Sequence, residues 1–225
     1  MGSRRRRQPT EILEYREQSY KKNIVPRNEK QKEYLKALEE YPIVFGVGAA
    51  GSGKTALAVW KAVEEFDNDR INRLILVRPA VATESLGFLP GTLQQKLDPY
   101  LRPIFDSLLD RWNPEKIEKL QELDQIEIAP LAFMRGRTFN NSIVILDEAQ
   151  NATVDQMRMF LTRIGENTKY FITGDPTQTD IRGENGLQWA VEKLQNCESI
   201  KIIRFENNEI VRSGLVKIIL NYLED

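Results

Sequence analysis

Apolar residues along the chain fall into short continuous runs separated by longer stretches with helical spacing. Residues 42–47 (PIVFGV) form such a run ending in glycines, which reads as a buried strand. A helical pattern follows over 54–66. The next apolar run, 74–77, is stopped by Arg78 and Pro79. Residues 92–123 read as mainly helical, broken into pieces by Pro99, Pro103 and Pro114. A short strand is expected at 126–128 and a fully apolar one at 142–146 (SIVIL). Residues 153–164 form a helix pattern with Thr153 as cap and Asp155 in its first turn. Strands at 170–173 and 200–204 alternate with helices at 187–194 and 211–223. Strands apolar on both faces, alternating with helices, predict an α/β domain with a parallel sheet covered on both sides.

Composition narrows the chemistry. The 225 residues contain no histidine and one cysteine, Cys197, so imidazole catalysis, His-containing metal sites, intrachain disulfides, zinc ribbons and iron–sulfur clusters are excluded. Cys197 itself reads as a packed small hydrophobe. Carboxylates, lysine, arginine, hydroxyls and amides remain, around a hard cation such as Mg2+ if there is a metal. Residues 1–41 carry 11 Lys and Arg against 7 Asp and Glu, and the remainder 21 against 26. A basic arm, set at residues 1–27, therefore precedes a mildly acidic body at 28–225. Such an arm either contacts a polyanion or is simply solvated. With neither a signal peptide nor a long apolar span, a cytoplasmic location away from membranes is expected.

Three stations then line up at strand ends. Gly48-Ala49-Ala50-Gly51-Ser52-Gly53-Lys54-Thr55 fits G-x-x-x-x-G-K-[ST] between a predicted strand and a predicted helix that continues through Ala56. Glycines let backbone N–H groups turn inward around phosphate oxygens, and the helix start adds partial positive charge. Lys54 would reach the β and γ phosphates of ATP, and Thr55 would place its hydroxyl on Mg2+. Ile143-Val144-Ile145-Leu146-Asp147-Glu148 ends a buried strand in two carboxylates, where ligands bind in such sheets. Asp147 is the candidate for the Mg2+ shell and Glu148 for the attacking water, the acid pair otherwise serving only as a helix cap. Gly174-Asp175-Pro176-Thr177-Gln178 follows a third strand. Its polar tip, Asp175 included, would face the nucleotide, with Gln178 as γ-phosphate sensor or water-positioning group.

These stations resemble the first RecA-like domain of superfamily-one helicases. A closer resemblance, over about residues 28–223, is to the PhoH family of ATPases. GVGAAGSGKTALAVWKA, VRPAV, LGFLPG, KLDPYLRPIFD, RGRTF within the stretch up to DEAQN, QMRMFLTRIGE and GDPTQTD carry it. The resemblance implies a RecA-like P-loop core that binds and hydrolyses ATP with Mg2+, often within a homo-oligomeric ring, a hexamer being one form. Single-stranded nucleic acid, RNA in preference to DNA, is the implied track, with helicase activity as one outcome and a separate ribonuclease as a partner. The alternative is an ATPase that regulates or delivers such a protein partner without unwinding. Compared with longer relatives, the chain has a short segment before the phosphate loop, and a ribonuclease partner is expected to be a separate chain.

Further candidates follow from the same resemblance. Asn28 and Gln31 resemble the helicase Q motif, so Gln31 is expected on adenine, an exposed helix position being the plain reading. Arg78, Arg135 and Arg137 are candidates for nucleic-acid phosphate or for structural ion pairs. Arg212 resembles the arginine that meets the γ phosphate, with Arg163 as alternative finger, either one supplied across a subunit boundary. Tyr100, Phe105 and Trp112 among Lys96, Arg102 and Arg111 could stack bases, but core packing or a subunit contact is the favoured reading.

Overall fold

The computed structural model describes residues 25–79 and 102–206. Among these residues six strands form one parallel sheet: β1 (Ile43–Gly48), β2 (Arg73–Arg78), β3 (Ile126–Pro130), β4 (Ser142–Leu146), β5 (Lys169–Gly174) and β6 (Ile200–Phe205). Their order across the sheet is β3-β2-β4-β5-β1-β6. The helices among the described residues are α1 (Glu29–Glu40), α2 (Lys54–Asp67), a stretch over 102–109, α3 (Pro114–Glu122), α4 (Val154–Leu161) and α5 (Gly186–Leu194). The expected RecA-like P-loop architecture is present.

Strand side chains alternate between two cores, as a period of two requires. Ile143 and Ile145 of β4 face one way, with Val44, Leu74 and Leu76, onto α1, α2 and α3. Val144 and Leu146 face the other way, with Phe45, Ile75 and Ile172, onto α4 and α5. All of β4 is buried, and each such aliphatic side chain is worth about 1.5–3 kcal/mol in apolar area removed from water. Neither face of the central strands meets solvent, which is why they read as unbroken apolar runs.

Helix starts follow local chemistry. Asn28 caps α1 by accepting from Gln31 N, and Asn113 caps α3 with Pro114 in its first turn. Thr153 and Gln156 make a reciprocal capping box on α4. That helix stops at Leu161, short of the expected end at Ile164. Trp112 and Phe105 belong to the core: Trp112 is buried, donates to Asp67 and meets Phe66 edge-on. Packing therefore accounts for these two aromatics. Cys197 is exposed, against expectation, because it lies in the tight turn after α5, where its N–H donates to Leu194 O. No helix among the described residues is long and apolar enough to cross a membrane.

The topology sets the site. β5 lies between the phosphate-loop strand β1 and the carboxylate strand β4. The carboxyl ends of all three therefore open on one side, with the Asp175 turn between the loop and the acid pair.

Candidate active site

The loop from Gly48 to Gly53 reverses the chain between β1 and α2. Gly48 has φ +124°, and a Cβ there would stand 2.0 Å from the Phe205 carbonyl oxygen on β6. Glycine is required twice over, by conformation and by space. Lys54, the first residue of α2, is buried, and its Nζ donates to Gly48 O (2.6 Å), Ala49 O (2.8 Å) and Ser52 Oγ (3.2 Å). Burial pulls the ammonium below its ordinary pKa, while Asp175, Glu148 and Asp147 pull it back up.

Asp147 extends past β4, its N–H donating to Val77 O. Its Oδ1 accepts from Thr55 Oγ1 (2.6 Å) and Thr173 Oγ1 (2.9 Å). One carboxylate beside one hydroxyl is a hard-oxygen pair that suits Mg2+, which is held by one or two carboxylates and substrate phosphates. Thr55 and Asp147 would hold the ion, which would neutralise charge on the phosphates and orient them.

Glu148 follows at φ +52°, in the left-handed region uncommon for a side chain larger than asparagine. Both its oxygens are engaged, Oε1 by Arg78 Nη2 (3.0 Å) and Oε2 by Gln150 Nε2 (2.6 Å). Gln150 is buried and uses its other end to accept from Asp175 N (3.1 Å). It thus ties the carboxylate strand to the neighbouring turn. No role was expected for Gln150. The available signal was an amide set between Ala149 and Ala152 directly after the acid pair.

Asp175 is buried and folded on itself, Oδ1 accepting from Thr177 N (3.0 Å) and Thr177 Oγ1 (2.7 Å). Gln178 closes this turn through its N–H to Asp175 O and leaves its side chain exposed. A cavity of about 240 Å3 is bounded by Ala50, Gly51, Gly53, Lys54, Thr55, Ala56, Asp147, Glu148, Gly174, Asp175 and Gln178. The three stations expected from sequence therefore enclose one space.

Other candidates lie differently. Gln31 is buried behind the loop, its Nε2 donating to Ser52 O (2.8 Å) and its Oε1 accepting from Arg27 N (2.7 Å). Both ends of the amide are engaged within the chain, so the expected two-sided adenine contact would have to break these bonds. Arg78 faces the acid pair, with Nε 3.1 Å from Asp147 Oδ2 in addition to its Glu148 bond. Arg137 forms a two-bond fork on Glu127, 2.6 Å on each arm, and stacks on Phe139. The ion-pair alternative expected for Arg137 is thus the arrangement seen here. Arg135 is exposed beside it. Arg163 follows α4, with Nε donating to Met159 O and its own carbonyl accepting from Phe139 N. That placement is at the amino ends of β4 and β5, opposite the cavity bounded by Lys54, Asp147 and Asp175. Arg212, the 211–223 helix, Tyr100 and Lys96 lie outside the described residues.

Among solved structures the chain resembles the Pif1 helicase from Candida albicans at 11% identity and TM-score 0.44, covering 88% of this chain and 44% of that one. The DUF1998 helicase MrfA bound to DNA and AMPPNP is similar at 14% identity and TM-score 0.44, over 78% and 26%. Sequence relatives are far nearer. A PhoH-like protein of Bacillus subtilis is 49% identical over 224 residues, 93% of this chain and 70% of the relative. A PhoH-like protein of Mycobacterium tuberculosis H37Rv is 50% identical over 203 residues, and Protein PhoH of Escherichia coli K12 is 46% identical over 197. The chain spans 58% and 56% of those two relatives' lengths. The family model for PhoH-like protein matches residues 23–224, a span that includes the whole cavity and all six strands, and the chain belongs to that family.

Proposed function

We propose that this chain hydrolyses ATP with Mg2+ and couples hydrolysis to single-stranded nucleic acid, RNA in preference to DNA. The observation that carries the first half is the direct bond from Thr55 to Asp147 beside the loop-bound Lys54. Metal and phosphate groups from two distant segments meet in one cavity, with Glu148 on its wall. In this reading Lys54 binds the β and γ phosphates, Thr55 and Asp147 order the ion, Glu148 handles the water and Gln178 senses the γ phosphate. Gly48 through Gly53 supply backbone donors, with Asp175 and Ala56 beside them.

Coupling to a strand rests on family membership and on the exposed Arg135. The arginine finger, Arg212 or Arg163, comes from a neighbouring copy in a homo-oligomeric ring. For Arg163, its placement at the amino ends of β4 and β5 favours action from another subunit. A cytoplasmic location fits this function.

Steady-state hydrolysis of Mg·ATP, with and without single-stranded RNA or DNA, tests the proposal alongside Glu148→Gln. Expected are stimulation by one strand type and loss of turnover in the variant. A rate lost in the variant but indifferent to strands would transfer the coupling to a protein partner such as a ribonuclease. A variant as active as the wild type would remove Glu148 from the mechanism.

A further inference from the structure

Glu148 and Gln178 are shared walls. On one side lies the phosphate cavity, and on the other a second cavity of about 350 Å3 reached by Arg78, Gln150, Asn151 and Asp180. Arg78 crosses between them. Its guanidinium meets both members of the acid pair, Nη2 donating to Glu148 Oε1 at 3.0 Å and Nε lying 3.1 Å from Asp147 Oδ2 as an ion-pair contact without a hydrogen bond. Its side chain is 15% exposed, against 45% for that of Glu148. The ion pair therefore sits at the opening of the second cavity and is not sealed in the core.

This geometry bears on how Glu148 meets water. A carboxylate that takes a proton must present an oxygen within hydrogen-bond reach of the water. Here Oε1 is held by a guanidinium and Oε2 by the Gln150 amide. Each oxygen keeps a second acceptor site, but charge-assisted bonds of this kind are roughly twice as strong as neutral ones and fix the direction in which the carboxylate can meet a water. Glu148 also sits at positive φ, a conformation that surrounding contacts must impose. Arg78 is one of those contacts.

We propose that Arg78 is a brake on Glu148: its guanidinium holds the carboxylate in the orientation seen here, and a phosphate of a single strand entering the second cavity takes the guanidinium and frees Glu148 for water. The proposal rests on the ATPase reading above. Towards the acid pair Nη2 donates to Glu148 while Nε meets Asp147 without a hydrogen bond, whereas a phosphate offers two oxygens in the parallel arrangement the fork prefers. The cavity's other carboxylate, Asp180, is bonded to Asn151, its Oδ2 accepting from the amide at 3.3 Å and its N–H donating at 2.8 Å. With Glu148 and Asp180 both facing it, the cavity gives a phosphate little net attraction. It senses a strand that is held elsewhere and does not anchor it. The same guanidinium competes with Mg2+ for Asp147.

The test compares wild type with Arg78→Ala and Arg78→Lys in three measurements. These are Mg·ATP hydrolysis with and without saturating oligouridine or oligodeoxythymidine, strand affinity by anisotropy, and the Mg2+ dependence of binding of a fluorescent ATP analogue. For Arg78→Ala the strand-free rate should rise at least about fivefold, the low end of typical coupling between sites. Stimulation by the strand should shrink towards none, strand affinity should stay nearly unchanged, and half-maximal nucleotide binding should need less Mg2+. Arg78→Lys keeps the charge without the fork and should be released in part.

A strand-free rate at or below wild type in both variants, with nucleotide binding retained, overturns the brake. So does an undiminished stimulation ratio, or a wild-type rate that ignores strands. If Arg78→Ala does not fold, Arg78→Lys decides by the same criteria. Wild type without any hydrolysis refutes the ATPase reading separately. The Mg2+ titration then still decides whether Arg78 competes for the carboxylates, and an unchanged requirement counts against the proposal.

Discussion

Thr55 and Asp147 stand 92 positions apart in sequence and are joined by a 2.6 Å hydrogen bond from the Thr55 hydroxyl to Asp147 Oδ1. The second donor to that oxygen, Thr173, comes from the strand between them. Side chains from the phosphate-loop helix, the acid strand and β5 thus converge on one carboxylate oxygen, which leaves little reorganisation when a metal arrives.

Thr55→Val keeps the shape and removes the hydroxyl. Mg2+-dependent binding of a fluorescent ATP analogue should weaken at least about tenfold, the scale on which groups of a metal site act. Thr55→Ser should bind nearly as the wild type does. Equal Mg2+ dependence in Thr55→Val and wild type would remove Thr55 from the metal site.

Gly48 and Gly53 both have positive φ, yet their surroundings differ. At Gly48 a new Cβ meets the backbone oxygen of Phe205, whereas at Gly53 the nearest atom is Gln31 Nε2 at 3.1 Å, the end of a side chain. Gly48→Ala must separate β1 from β6 and should cost about 3 kcal/mol or more, since strain and overpacking add. Gly53→Ala should cost about 1 kcal/mol from the left-handed backbone alone. Urea unfolding ranks the two, and equal midpoints would contradict the account.

The strands and the three stations were legible because they rest on local patterns. Apolar runs buried on both faces, glycines before a lysine and carboxylates at a strand end each need only neighbours in sequence. Helix α1 was not read as an element because eight of its twelve residues are Glu, Lys or Gln. Its burial falls on four positions, Gln31, Tyr34, Ala37 and Leu38, too sparse to stand out. The direction of Arg78 was illegible for a different reason. Its Glu148 partner is 70 residues away, with Asp147 beside it, and nothing next to Arg78 in sequence specifies either. The burial of Gln31 was equally hidden, because an amide set against a loop carbonyl has the same sequence signature as one facing adenine.

Arg137 illustrates the same point and yields a prediction. Its fork on Glu127 holds that carboxyl below its ordinary pKa, mainly through the hydrogen bonds and against the effect of burial. A carboxyl depressed in the folded state contributes stability above the ordinary carboxylate range, and that contribution is lost as pH falls through the lowered pKa. Arg137→Ala should therefore cost about 1 kcal/mol at neutral pH, with the difference from wild type closing in acid. Strand affinity should not change. A variant of unaltered stability that has lost strand binding would restore Arg137 to the nucleic-acid surface.

Gln31→Ala deprives the buried Ser52 carbonyl of its donor and Arg27 N of its acceptor. An acceptor left unpaired in the interior costs about 1–3 kcal/mol, here felt by the phosphate loop. Affinity for ATP and GTP should fall together, because every nucleoside triphosphate uses the same loop. Competition binding with both nucleotides checks this. A loss confined to ATP would mean that Gln31 contacts adenine after all.

Lys54 links nucleotide binding to protons. Burial lowers its pKa in the free protein, and the three nearby carboxylates only partly offset that effect. A triphosphate adds negative charge against the ammonium and stabilises the protonated form, so binding raises the pKa again. Below the lowered value Lys54 is charged in both states and affinity is flat with pH. As pH rises through that value, the free protein loses the proton that the complex retains. Affinity must then fall, and binding must take up protons. Titration calorimetry in buffers of different ionisation enthalpy measures the uptake directly. Lys54→Met should bind weakly and abolish the linkage; proton uptake that persists in this variant would place the responsible group elsewhere in the cavity.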